Sequence, residues 1–94
     1  MLRHEKPLHT IRGREDLLIA IRWVLLEHEG EAMSIDMIYN ELSREFRIMK
    51  TFGVTRQLMH FYARIAADQI IKEQVKTYNG TYKESRYIAE GGII

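Results

Sequence analysis

Residues 55–89 read TRQLMHFYARIAADQIIKEQVKTYNGTYKESRYIA, and the change of pattern inside this stretch decides the fold. Thr55 is a residue type that caps helix N-termini, and after it Leu58, Phe61, Tyr62, Ile65 and Gln69 recur at helical spacing, which predicts a helix lasting to about residue 73. Then the composition shifts. Residues 75–78 and 86–89 are rich in β-branched and aromatic side chains. Between them lies Asn79-Gly80, the dipeptide suited to the positive φ angles of a tight hairpin. A two-stranded hairpin is expected after the helix, closed by the Asn-Gly pair or by a wider loop reaching Glu84.

Upstream of Thr55 the pattern is helical twice more. Ser34 can cap a helix over 35–46, with Asp36 in its first turn facing the positive end of the dipole and Ile35, Ile38, Leu42 and Phe46 on one face. Residues 47–54, with Gly53 near their end, break the period and read as the connection to the third helix. Leu17, Ile21, Val24, Leu25 and His28 define a first helix over 13–29, and Gly30 is suited to the position just past its end. Residues 1–12 combine Arg3, Lys6, Arg12 and Pro7 without a clean period and are expected to form a flexible basic arm. Residues 13–90 form the domain and 91–94 a short tail, with no internal repeat.

At 94 residues, 46% of them hydrophobic and 29% charged, the chain fits one globular domain with a modest core. Cysteine is absent, which excludes disulfides, thiolate metal sites and a cysteine nucleophile and fits a reducing compartment. The N-terminal residues lack the apolar run of a secretory signal and no stretch approaches a membrane span, so a soluble cytoplasmic protein is expected. Asn79-Gly80-Thr81 also matches a glycosylation acceptor, but turn chemistry accounts for it.

The histidines, His4, His9, His28 and His60, are scattered, and none forms the pair four apart that a zinc protease uses. Glu27-His28-Glu29 would point three ways from a helix, and no helix is expected after Gly91-Gly92 to hold phosphate. His28 reads as a helix-end residue near the last carbonyls. No catalytic residue, metal or cofactor is expected.

The net charge is only +1, but its distribution is uneven. Residues 31–46 carry Glu31, Asp36, Glu41 and Glu45 against Arg44, whereas residues 46–67 contain no acid and hold Arg47, Lys50, Arg56 and Arg64, with His60 beside them. Such a segment attracts a polyanion to one face of a near-neutral chain. At about 100° per residue, Arg56, Gln57, His60, Ala63, Arg64 and Ala67 fall on the side of the third helix opposite Leu58, Phe61, Tyr62 and Ile65. Arginine can bond guanine and glutamine adenine, and alanine permits close approach, so Arg56, Gln57, His60 and Arg64 are the expected base-reading residues and Lys50 a phosphate contact.

The order helix, helix, connection, helix, hairpin, with Ile70-Ile71-Lys72-Glu73-Gln74-Val75-Lys76-Thr77-Tyr78 running on to Ser85-Arg86-Tyr87-Ile88, resembles the winged helix-turn-helix family in its PadR- and MarR-like layout over residues 14–89. The resemblance implies a mainly α fold of three helices plus a two-stranded wing. It also implies a small sequence-specific transcriptional regulator that binds duplex DNA, with Lys76, Lys83 and Arg86 of the wing on phosphates. Two departures from the family are the length of the 47–54 connection and of the third helix. The rival expectation is a winged-helix module that holds a protein partner.

Helix one carries more apolar residues than one core face uses: Ile19, Trp23 and Leu26 lie away from Leu17, Ile21, Val24 and Leu25. A helix apolar on both sides is buried on both, and tryptophan is enriched at interface hot spots, so these three residues are expected at a homodimer interface. A symmetric pair would then read a roughly palindromic site.

Overall fold

Apolar side chains at helical spacing organise most of the chain described by the computed structural model, which covers residues 5–77. The elements run β1 (Thr10–Ile11), α1 (Arg14–Glu27), α2 (Ile35–Glu45), β2 (Arg47–Ile48) and α3 (Arg56–Thr77). The described fold is mainly α, three helices with a two-stranded parallel sheet. None of these helices is long and apolar enough to cross a membrane.

Local chemistry sets the helix ends. The hydroxyl of Ser34 accepts a hydrogen bond from the Met37 N–H at 3.1 Å, and Thr55 accepts from the Leu58 N–H at 3.1 Å, so both capping residues act as their sequence context predicts. Helix α1 begins at Gly13 without a side-chain cap, and the carboxylate of Asp16 instead accepts from the Arg12 N–H at 2.9 Å. At its other end the His28 N–H reaches the carbonyls of Val24 and Leu25 at 3.1 and 3.2 Å. The chain then turns away through Gly30 at φ +90°, a conformation that L side chains rarely adopt.

Leu17, Ala20, Ile21, Val24 and Leu25 of α1 meet Ile35, Ile38 and Leu42 of α2 and the inner face of α3 in one core. The phase of α3 corrects the expectation. Its buried residues are Met59, Ala63, Ala66, Ala67 and Ile70, while Phe61 is exposed and Leu58, Tyr62 and Ile65 sit at the half-buried margin. Helix α3 packs chiefly on α1, and small alanines let two helix axes approach closely, which larger side chains would prevent.

The strands were hidden by their brevity. Thr10 pairs with Arg47 and Ile11 with Ile48 in parallel, with α1 and α2 as the crossover. Arg47 donates to the His9 carbonyl and Met49 to the Ile11 carbonyl, each at 3.0 Å. The expectation of a flexible arm over 1–12 therefore fails for its latter part. Ile11 is 0% exposed, and Lys6 donates to the Glu45 backbone carbonyl at 2.7 Å while lying 5.6 Å above the Phe46 ring. Burial of one isoleucine and satisfaction of two backbone donors hold the segment down.

A further correction concerns residues 75–77, expected as strand, which continue α3 to Thr77. Lys72, Glu73 and Gln74 are good helix formers, and the modest penalty of Val75 and Thr77 does not stop a helix already propagating. The sheet present is thus not the expected hairpin wing. The remainder of that hairpin, with Lys83 and Arg86, lies outside the described residues.

Candidate nucleic-acid interface

The amino-terminal half of α3 presents its outer face because its inner face is spent on α1. Gln57, His60 and Arg64 are all exposed there, one turn apart. Arg56 is exposed too, but it belongs to a different neighbourhood: its guanidinium donates to the Asp36 carboxylate of α2 at 2.8 Å. That pair lies on an open groove of about 430 Å³ between the starts of α2 and α3, bordered by Tyr39, Asn40 and Val54. Ala63 and Ala67, expected beside the reading residues, are buried in the core and cannot face a ligand.

The connection between α2 and α3 adds two cations. Arg47 of β2 and Lys50 of the following turn, which is closed by the Phe52 N–H on the Met49 carbonyl at 3.0 Å, are both exposed. Among the described residues, Arg47, Lys50, His60 and Arg64 take part in no ion pair. The charges of Arg47, Lys50 and Arg64 are therefore not neutralised within the described fold. The acid-free segment of the sequence is not wholly acid-free in space, because Asp36 reaches Arg56 and Asp68 is exposed one turn beyond Arg64. Strand pairing also carries Arg12, exposed, to the flank of this connection. That neighbour had no sequence signal beyond the alternation of Phe46, Arg47 and Ile48.

Two of the other expected residues change place. Lys76 stands in the last turn of α3 rather than in a wing strand. Trp23, expected at a subunit interface, is 5% exposed and meets Phe46 inside the chain, so its second apolar side is covered by the segment that follows α2. Ile19 remains exposed and Leu26 half-buried, and they border an open groove of about 390 Å³ whose lining also includes Leu18, Arg22 and one side of the buried Trp23.

Phe61 is the residue that sequence reasoning misplaced. It is 57% exposed, edge-on to Tyr62 with ring centroids 4.9 Å apart, and it stands between Gln57 and Arg64 on the outer face. The signal that could have placed it is the run of alanines at 63, 66 and 67, which marks a close helix contact on the opposite side. His28 lies beside two carboxylates, Glu31 at 3.3 Å and Glu41 at 3.7 Å. No group of three potential metal ligands converges among the described residues. No protein-family model, curated protein or solved structure matches the chain.

Proposed function

We propose that this protein binds duplex DNA sequence-specifically, as a small transcriptional regulator that lays the first half of α3 in the major groove. One observation carries the proposal: Gln57, His60 and Arg64 are exposed on one helix, beside a connection bearing Arg47 and Lys50, and none of the three cations Arg47, Lys50 and Arg64 is ion-paired among the described residues. Glutamine and arginine are the side chains that bond adenine and guanine edges bidentately, and the amino-terminal end of such a helix carries the positive end of its dipole. Arg47 and Lys50 take phosphates, and Arg56 joins them once DNA competes with Asp36. Lys83 and Arg86 are further phosphate contacts on the winged-helix resemblance, and Lys76 is one from the last turn of α3.

The protein acts as a pair, joined through the part of helix α1 that the core does not use, Ile19 and Leu26. A two-fold pair reads two half-sites about one helical turn apart.

A second reading, a module that holds a protein partner, is favoured by the exposed Phe61 with Leu58 and Ile65 beside it. Selection from a random duplex library separates the two. Enrichment of one motif by the wild type, degraded at one position by Arg64→Ala and at another by Gln57→Ala, supports DNA reading. Failure to enrich any motif, or to bind duplex at all, refutes it.

A further inference from the structure

Phe61 is the most exposed large apolar side chain among the described residues, at 57%, although α3 offers it a core on its other side. Met59, Ala63, Ala66, Ala67 and Ile70 fill the buried arc, and at about 100° per residue Phe61 falls opposite its middle. Its ring lies edge-on to Tyr62, with planes at 85°, and projects from the helix as an apolar knob. The residues four before and three after it are Gln57 and Arg64, both exposed.

A helix face whose charges call for a polyanion has one apolar side chain at its crown, so its occupant must combine a phosphate backbone with an apolar feature. The major groove of duplex DNA has one such feature on its base edges, the 5-methyl group of thymine. We propose that Phe61 is a specificity-determining residue that reads thymine by contact with this methyl. The inference rests on the proposal that α3 enters the major groove, and it adds to it the base at the centre of the contact.

Spacing gives the register. Gln57 and Arg64 stand seven residue steps apart, roughly 10 Å of helix rise, which matches about three base-pair steps of 3.4 Å. The thymine therefore lies one or two steps from the guanine that Arg64 bonds, on the side toward the adenine of Gln57.

The test uses the full chain and the motif obtained by selection. Each thymine in that motif is replaced singly by deoxyuridine, which removes the methyl and keeps every hydrogen-bonding group, and affinities are measured for the wild type and Phe61→Ala. Because Phe61 is exposed, the variant folds; a matching circular dichroism spectrum and urea midpoint verify this. One deoxyuridine is expected to weaken the wild type about fourfold, the worth of one buried methyl-sized group, and to have no effect on Phe61→Ala. The proposal is overturned if no single deoxyuridine weakens the wild type, or if Phe61→Ala remains as sensitive as the wild type. It is also overturned if Phe61→Ala keeps full duplex affinity but loses self-association in sedimentation, which would make the crown a protein contact. If the wild type enriches no motif, DNA reading fails first, and the role of Phe61 fails with it.

Discussion

Trp23 and Phe46 meet edge to face, with ring centroids 5.5 Å apart and planes at 87°. This pair joins the middle of α1 to the residue that ends α2, and both side chains are buried. Truncating Trp23 to alanine leaves a cavity and removes the aromatic contact. Trp23→Ala is expected to cost about 3–5 kcal/mol, seen as a large fall in urea midpoint at every protein concentration. A surface role for Trp23 would instead leave the midpoint in dilute solution unchanged.

Ile19 gives the complementary result. It is exposed, so Ile19→Glu is expected to change stability by less than about 1 kcal/mol while converting the proposed dimer to monomer in sedimentation at micromolar concentration. Unchanged mass for this variant removes α1 as the joining face.

Asp36 holds Arg56 at 2.8 Å, and both side chains are well exposed. Such a pair contributes little to folding, so Asp36→Asn is expected to cost under about 1 kcal/mol, part of it from the lost charge in the first turn of α2. The same change should raise duplex affinity several-fold, because it removes an acid from the interface and releases a guanidinium. A fall in affinity would place Arg56 away from the nucleic acid.

Lys50 and Arg64 differ in what they report. If the proposed pair makes about four phosphate contacts from each subunit, log affinity against log salt is expected to have a slope of about −7, and Lys50→Ala is expected to lower its magnitude by about 1 to 2 while weakening all sequences alike. Arg64→Ala instead relaxes preference at one base pair by about 1–3 kcal/mol. Titration of fluorescent duplexes across a salt series measures both.

Gly30 is a conformational requirement rather than a packing one. A Cβ there would meet nothing within 4 Å, but φ is +90°. Gly30→Ala is therefore expected to lower stability by about 1–2 kcal/mol. Gly13→Ser, at an extended N-cap position that is equally open, should be neutral or stabilising by a few tenths of about 1 kcal/mol. Urea unfolding of the two variants side by side checks the contrast.

The helices were legible because their signals are local. Ser34 and Thr55 each cap where a polar side chain precedes an apolar period, and the α1 face from Leu17 to Leu25 follows from spacing. What was misread depended on partners distant in sequence. Leu58, Phe61, Tyr62 and Ile65 are larger and more apolar than Ala63, Ala66 and Ala67, so hydropathy alone turned α3 the wrong way; only the close approach of α1 selects the alanines. Strands of two residues have no period to detect, and Ile11 looks like an arm residue until Ile48 is placed beside it. For the candidate interface, charge in the sequence singled out Arg47, Lys50 and Arg64, but the proximity of Asp36 to Arg56 and the outward position of Phe61 required the packing.

The parallel pairing of Thr10–Ile11 with Arg47–Ile48 has a consequence for the order of assembly. On a ribosome the first strand emerges long before its partner, and two helices must be synthesised before it has anything to bond. Closing so long a loop costs entropy that no local contact repays, so helix formation precedes strand pairing. The amide hydrogens of Arg47 and Met49 should consequently gain protection from exchange later than those within α1. The segment that precedes α1, made before its partner strand, is a closing latch on the folded chain.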